Sequence, residues 1–174
     1  MILSLQTIVG RNASPFHPLV LSITEVHGGD VWNVVPAEAG FMGTVRYFYK
    51  EDGQLAERRF RSQVESIAAG YGITVDVDWD DFQDPMVSDP DLAKAVAADV
   101  PDYADLQPIH PSMAGEDFSE FAKVTRPVFA FIGSNGKPGH HDWHSPQFVG
   151  FDEALQAGVE FYVNAALRLL EELA

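Results

Sequence analysis

Residues Pro18–His27 read PLVLSITEVH, and this stretch sets the type of fold. Leu19, Leu21 and Ile23 alternate with the residues between them, a period of two that is typical of a β-strand with one buried face. The glycine pair that follows turns the chain, and a second strand is predicted over roughly Phe41–Tyr49. The stretch therefore predicts a strand, a turn and another strand.

Helical patterns flank this unit on both sides. Met1–Gly10 is predicted to be the last part of a helix that ends near Arg11 and Asn12. Ala56–Tyr71 is predicted to be an amphipathic helix that is stopped by Gly70 and Gly72. Ile73–Trp79 then shows the clearest alternation in the chain, which predicts a third strand. The order helix, strand, strand, helix, strand matches a βαββαβ ferredoxin-like lobe without its leading strand. We therefore expect an α/β (α+β) fold.

An acidic, turn-rich segment, Asp80–Pro90, is predicted to cross into a second lobe. The long helix of that lobe is expected to bury one apolar face. That face comprises Leu155, Val159, Tyr162, Ala166, Leu169 and Leu173. The predicted elements are a helix at Asp91–Ala98, a short strand at Leu106–His110, a short helix at Glu116–Lys123, a buried strand at Val128–Ile132 and the long helix at Asp152–Leu173.

Composition excludes several classes of protein. With 174 residues, 46% of them hydrophobic, the chain can form one domain or two small lobes. A net charge of −15 argues against nucleic acid or an anionic membrane surface as a partner. The absence of cysteine excludes disulfides and thiolate zinc sites, and it fits the cytoplasmic location that we predict. The sequence contains no apolar run near the roughly 20 residues of a membrane span, and it shows no signal peptide.

A histidine-rich run, Gly139–Pro146 (GHHDWHSP), suggests a metal or protonatable site. His144 is placed between a predicted strand and a predicted helix, on the side of an α/β sheet where ligands commonly bind. The alternative is a surface histidine in a polar loop, as His140 and His141 are expected to be. A transition-metal site needs three or four ligands, so the run can supply only part of such a coordination sphere.

Three further features are candidates for ligand binding. Arg46 interrupts an apolar strand, and arginine is suited to bidentate carboxylate binding; the alternative is a charge on a solvated strand face. Asn33 follows a glycine turn, where its ordinary role is turn chemistry. Ser112–Asp117 can present backbone amides to an anion at a helix start.

Together these segments resemble the dimetal amidohydrolases and exopeptidases that include aminoacylase, hippurate hydrolase, auxin-conjugate hydrolase and glutamate carboxypeptidase. Each motif is weak alone, but their order and spacing are those of the family. The bacterial N-acyl-amino-acid or auxin-conjugate hydrolase branch looks most similar. The motifs are Leu5–Val9 with Arg11 and Asn12, His27–Gly29 with Trp32–Pro36, Gly43–Arg46, Ala68–Gly72, Gly115–Phe118 and Trp143–Pro146.

The resemblance implies a role for each matched residue. His144 corresponds to the last protein ligand of a pair of divalent metal ions, which can be zinc, manganese, cobalt or nickel. Asn33 and Arg46 correspond to lid residues that reach the substrate, with Arg46 on its carboxylate, typically in the partner subunit's active site. Gly115 corresponds to a loop whose backbone contacts that carboxylate. His27 matches a position that varies in the family and is a weaker candidate for substrate binding.

The resemblance also implies an organisation. Residues 1–80 correspond to a lid that forms a homodimer, without its first strand and most of its first helix. Residues 81–174 correspond to the C-terminal part of an α/β zinc-peptidase-like catalytic domain. The remaining metal ligands and the catalytic glutamate of the family have no matching motif in this sequence.

Two functions are therefore expected for this chain. The first is metal-dependent hydrolysis of an N-acyl amino acid or similar amide, with the chain as a C-terminal fragment that by itself is inactive and binds no metal stably. The alternative is a non-catalytic remnant that dimerises or binds a ligand.

Overall fold

The computed structural model describes residues 1–81, 83–136 and 141–172. The chain divides into two compact units. Unit 1 comprises Met1–Pro85 together with Ser112–Asp117, and unit 2 comprises Met86–Pro111 together with Phe118–Ala174. The segment Ser112–Asp117 thus belongs with unit 1, whereas the domain predicted from residue 81 onward includes it.

The regular secondary structure of the described residues consists of helices and a single hairpin. No helix in these ranges is both long enough and apolar enough to cross a bilayer. The elements are α1 (Ile2–Thr7), which continues into a wider π-helical turn (Ile8–Asn12), β1 (Leu19–His27), β2 (Gly40–Tyr47), α2 (Lys50–Tyr71), α3 (Pro90–Asp99), a 3₁₀ turn (Val100–Asp102), a 3₁₀ helix (Asp117–Lys123) and α4 (Glu153–Glu172).

The first two of the three strands predicted for unit 1 are confirmed. β1 and β2 pair antiparallel, with Leu19 opposite Tyr47, and the register shifts at a bulge between Ile23 and Glu25. Gly43 lies opposite this irregularity, where an added Cβ would be only 2.0 Å from the backbone oxygen of Ser22. A glycine is therefore required for the two strands to approach each other at the bulge.

One face of this hairpin forms the core of unit 1. Leu19 and Leu21 are buried, whereas Val20 between them is 39% exposed, as the alternation predicts. The buried strand face packs against residues of α1, its π-helical turn and α2. The core cluster comprises Leu5, Ile8, Leu19, Leu21, Ala56 and Val64.

α2 starts six residues before the predicted Ala56, at Lys50. Its first turn includes the buried Gly53, which packs directly beneath the ring of Tyr47. The helix continues through Gly70, the first of the two predicted stop residues, and ends at the second, Gly72. Gly72 has φ +67° and ψ +28° and donates its N–H to the carbonyls of Ala68 and Ala69. This left-handed conformation is the common glycine cap of a helix C-terminus.

The prediction of a third strand at Ile73–Trp79 is wrong, and the described residues of unit 1 form no complete ferredoxin-like lobe. Instead the segment packs on α2: Trp79 contacts the ring of Phe60 at 5.5 Å, and Arg61 donates to the carbonyl of Val77 at 3.2 Å. Alternation in sequence specifies two faces, but a strand also needs a neighbour for its backbone hydrogen bonds.

The predicted strands at Leu106–His110 and Val128–Ile132 are wrong for the same reason. The described residues of unit 2 form no sheet to which either segment could pair.

Unit 2 is organised around the contact between α3 and α4. The guanidinium of Arg168 on α4 donates to both carboxylate oxygens of Asp99 at the end of α3. Leu92, Val96 and Val100 are buried apolar residues of this unit.

The predicted burial of one apolar face of α4 is wrong for the described residues, and Leu173, the last residue of the predicted face, lies outside them. Leu155, Val159 and Tyr162 are 68%, 62% and 75% exposed, and no described residue of α4 is buried. The period of the sequence identifies a face that is suited to burial, but it does not supply the surface that would cover it.

We predict opposite effects for alanine at two glycines of α2. Gly53→Ala places a Cβ 2.4 Å from the ring of Tyr47 and should destabilise the protein by roughly 1–3 kcal/mol through overpacking. Gly70→Ala meets no atom within 4 Å and should be neutral or stabilise by up to about 1 kcal/mol, because alanine favours the helix. Urea denaturation measures both changes, and equal effects would contradict this account of Gly53.

We also predict an acid-dependent contribution from Asp89. Hydrogen bonds from Arg126, and further ones from the N–H groups of Leu92 and Asp91 at the start of α3, lower the pKa of Asp89 from 3.8 to about 2. Because the folded pKa lies below the unfolded one, this stabilisation is complete above pH 3.8 and is lost as the pH falls towards 2. Asp89→Asn, which can still cap the helix, should flatten the acid limb of a stability–pH curve. An unchanged acid limb would show that this group contributes nothing.

Candidate functional site

Arg46 and the Ser112–Asp117 loop meet within unit 1. Arg46 lies opposite Val20 on the face of the hairpin that the core leaves open, and its Nη1 donates to the carbonyl of Met113 at 2.6 Å. Its side chain is exposed, and no carboxylate among the described residues forms an ion pair with it. A guanidinium carries five N–H donors, so this geometry can also bind an anion.

The loop beside Arg46 is built by local hydrogen bonding. The hydroxyl of Ser112 accepts from the N–H of Ala114 at 3.1 Å, which shapes the backbone before Gly115. Gly115 is exposed, and an added Cβ would lie 3.1 Å from the side-chain oxygen of Gln83. A glycine at this position keeps the loop backbone accessible next to Arg46.

The residue after Arg46, Tyr47, packs against the core of unit 1 and makes a polar contact of its own. Tyr47 donates its hydroxyl to Asp81 at 3.2 Å, and burial together with the charge of Asp81 raises the pKa of Tyr47 to about 12. The phenol is therefore protonated at neutral pH. Nearby, Lys50 pairs with Asp84 at 2.9 Å. These two contacts join Asp81 to the end of β2 and Asp84 to the start of α2.

His27 and Asn33 lie at the opposite end of the hairpin. His27 pairs with Gly40, six residues before Arg46 on β2, which corresponds to roughly 20 Å along a strand. It lines an open recess of ≈ 360 Å³ together with Glu25 and Glu38. Asn33 is exposed in the connection between the strands. A single small substrate cannot reach both His27 and Arg46 of one chain.

His144 lies in unit 2 with a strained backbone. Its φ is +63°, and it is the single non-glycine residue with positive φ in the described part of the chain. Ser145 donates its N–H to the carbonyl of Asp142 at 3.2 Å, which closes the turn around it. The ring of Trp143 packs on Phe131 at 6.0 Å and lies 6.4 Å from the imidazole of His144. Such conformations cost about 1–3 kcal/mol and are concentrated at functional sites.

The described residues include no group of three or more histidines, aspartates or glutamates that could hold a metal ion. His144 is exposed and can supply one nitrogen ligand, but the described residues do not complete a coordination sphere around it. His140 lies outside the described residues. His141 is exposed, and its carbonyl accepts from the amide of Asn135 at 2.9 Å.

Sequence reasoning missed two contacts that shape unit 1. One is the carbonyl of Met113 as a partner of Arg46, which no sequence signal reveals because every residue has a carbonyl. The other joins His17 to the buried Asp52 at 3.0 Å, with the ring of Tyr49 packed on His17 at 4.2 Å. A carboxylate in the first turn of a helix is a common signal, but its distant partner is set by the fold.

Comparison with known proteins identifies the family. The model of peptidase family M20/M25/M40 matches residues 8–168 of this chain. The chain belongs to this family. This confirms the resemblance found in the sequence.

Two relatives of this chain have named activities. N-acetyl-L-cysteine deacetylase of Bacillus subtilis is 35% identical over 98% of this chain and 41% of its own length. IAA-amino acid hydrolase ILR1-like 4 of Arabidopsis thaliana is 29% identical over 99% of this chain and 41% of its own length. The chain thus spans about two fifths of the length of these M20 relatives.

A solved M20 structure has the same fold. A Bacillus subtilis protein described as a dinuclear metal binding peptidase from the M20 family is 32% identical, with a TM-score of 0.74 over 98% of this chain and 46% of that protein. The predicted mixed helix-and-strand fold of an M20-type peptidase is confirmed at this level.

Backbone strain at His144 leads to a test. At most positions alanine is favoured over glycine by about 0.5–1 kcal/mol, but the order reverses where φ is positive. We predict that His144→Gly is more stable than His144→Ala by about 1 kcal/mol, whereas His141→Ala is at least as stable as His141→Gly. Thermal or urea denaturation of the four variants measures this. The same order of glycine and alanine at both positions would show that His144 is not strained.

Proposed function

We propose that the chain forms part of an M20 amidohydrolase that cleaves N-acyl amino acids or similar amides, and that it contributes the group that binds the substrate carboxylate. The named relatives that deacetylate or hydrolyse amino acid conjugates support this substrate class. Each of these substrates presents a free carboxylate next to the amide that is cleaved. The protein therefore needs an anion-binding group near the reacting amide.

The observation that carries the proposal is the environment of Arg46. In a chain with a net charge of −15, this exposed guanidinium pairs with none of the described carboxylates. Instead it donates to the carbonyl of Met113, in the loop that presents the backbone of Gly115. In this proposal, Arg46 and the amides of this loop form a site for one carboxylate. The guanidinium supplies the positive charge, and the backbone N–H groups orient the carboxylate by hydrogen bonding.

His144 takes the role of a metal ligand in this proposal. A ring nitrogen of a neutral histidine suits zinc, manganese, cobalt or nickel, and the family relationship supports a pair of such ions. The strained backbone of His144 supports a functional rather than a structural role. The other ligands come from outside the described residues of this chain.

The lid role of unit 1 and a homodimer are also proposed. Asn33 and His27 lie at the far end of the hairpin from Arg46, which fits an arrangement in which the two ends serve two different substrate sites. The exposed connection around Asn33 supports contact with another surface, because Trp32 and Val35 in it are 96% and 92% exposed.

We predict that Arg46 distinguishes substrates by their carboxylate. The test is a chimera in which this chain replaces the matching part of Bacillus subtilis N-acetyl-L-cysteine deacetylase. Arg46→Ala should remove a charge-assisted hydrogen bond worth about 1.5–3 kcal/mol. That loss lowers kcat/KM for N-acetyl amino acids by about ten- to two-hundred-fold. The loss should be smaller for the matching carboxamides, and Arg46→Lys should rescue only in part.

Arg59→Ala is the matched control, because Arg59 is an exposed arginine on α2 and should leave kcat/KM unchanged. An equal loss on acid and amide substrates would make Arg46 a support for the loop and not a ligand of the carboxylate. A folded, metal-loaded chimera that releases no amino acid from a panel of N-acyl substrates would contradict the proposed function and favour a non-catalytic role.

A further inference from the structure

We infer that Gln83 sets the charge preference of the Arg46 site, so that a ligand with a free carboxylate binds there in preference to its neutral amide. Gln83 is then a specificity-determining residue, and its role depends on its side chain being uncharged. The inference rests on the proposed function, because it concerns the site assigned there to the substrate carboxylate. Three observations within unit 1 lead to it.

The first observation is the position of Gln83. Its side-chain oxygen lies beside Gly115, where an added Cβ would be 3.1 Å from that oxygen. Gly115 belongs to the loop in which the carbonyl of Met113 accepts from Nη1 of Arg46 at 2.6 Å. Gln83 and Arg46 therefore approach the same short loop. A carboxylate bound by the guanidinium and the backbone of Gly115 would lie next to the amide of Gln83.

The second observation is that the amide of Gln83 is free to bind a ligand. The residue is half-buried, and among the described residues its side chain has no hydrogen-bond partner. A glutamine side chain carries two N–H donors and an oxygen that accepts. It can therefore donate to a carboxylate without adding any charge to the site.

The third observation is the acidity of residues 80–84, which read DDFQD in a chain with a net charge of −15. Tyr47 donates its hydroxyl to Asp81 at 3.2 Å, and Lys50 pairs with Asp84 at 2.9 Å. Two of the three aspartates thus have partners of their own. The side chain that this acidic segment places against the loop is an amide.

Electrostatics explains why an amide at position 83 favours an anionic ligand. Two like charges a few ångströms apart repel each other, and the repulsion is stronger where water is partly excluded. A glutamate at this position would repel the substrate carboxylate and would also compete with it for Arg46. Glutamine has nearly the same shape as glutamate but no charge, so it leaves the guanidinium to the ligand.

The alternative is that Gln83 only fills the space beside Gly115. A change of charge at constant shape would then have little effect, and any effect would be the same for a charged ligand and a neutral one. The two roles can be separated by comparing a carboxylate with its amide and by varying the salt concentration, because salt screens a repulsion between exposed charges.

Titration of the 174-residue chain tests the inference without hydrolysis. The probes are N-acetyl-L-alanine and its neutral amide, and the readout is the NMR signal of the Gly115 N–H. In about 0.05 M salt, Gln83→Glu should raise the dissociation constant of the acid about ten-fold and that of the amide less than about two-fold. The effect on the acid should shrink several-fold in about 0.5 M salt.

Two variants serve as controls. Gln54→Glu adds the same charge at an exposed position of α2 and should leave both dissociation constants unchanged. Gln83→Met removes the hydrogen-bonding groups but keeps the position uncharged, so it should weaken binding of the acid less than Gln83→Glu does. Thermal unfolding checks that each variant is folded.

Four results would overturn the inference. These are no response of Gly115 in the wild-type chain, equal weakening by Gln83→Glu and Gln54→Glu, equal weakening for the acid and the amide, and a weakening that salt does not reduce.

The chimera with Bacillus subtilis N-acetyl-L-cysteine deacetylase separates this inference from the proposed function. If the titrations behave as expected and the chimera releases no amino acid, the proposed function is rejected and the role of Gln83 in anion binding is supported. If the chimera hydrolyses N-acetyl amino acids and Gln83→Glu leaves the ratio of kcat/KM for acid and amide unchanged, only the inference about Gln83 is rejected.

Discussion

The packing of one face of the β1–β2 hairpin against α1 and α2 is the constraint on which the arrangement of unit 1 depends. Leu19 and Leu21 are buried in that contact, and because side chains alternate along a strand, Val20 and its partner Arg46 must face outward. The register of the hairpin therefore decides that a guanidinium, and not an apolar side chain, reaches the loop at Met113. A slip of one residue would bury Arg46 in the core without a counter-charge, which is strongly unfavourable.

The motif Gly43–Arg46 combines two different requirements. Gly43 is set by backbone approach, because a Cβ there would collide with the backbone of Ser22 at the bulge. Arg46 at its other end faces the open side of the sheet and carries the proposed binding role. The glycine keeps the strands paired past the bulge, and this pairing fixes the direction in which Arg46 points. Gly43 thus helps to position Arg46 within the same motif.

In unit 2, a segment with a helical pattern forms its helix, whereas a segment with a strand pattern does not form a strand. α4 forms along its full length, since helix hydrogen bonds close within the segment itself. Val128–Ile132 does not form a strand in the described structure, because its hydrogen bonds must come from another segment. His144 nevertheless adopts its strained conformation, since the turn around it and the packing of Trp143 on Phe131 are local contacts within the unit. Local interactions thus set the backbone conformation of His144, the proposed metal ligand.

Several features of the protein follow from the sequence alone. The helices, the first two strands, the cap at Gly72 and the membership of the M20 family depend on residue patterns or motifs that are contiguous in the chain, so they can be predicted without coordinates. Arg46, Gly115 and His144 could be selected as candidates for the same reason. Tertiary structure alone decided which of them meet: Arg46 lies beside the Met113–Gly115 loop, and His27 lies at the far end of the hairpin. It also decided that Ile73–Trp79 packs as a non-strand segment and that α4 leaves its apolar stripe exposed. Periodicity specifies which face of an element is apolar, whereas pairing and burial depend on surfaces that are remote in the sequence.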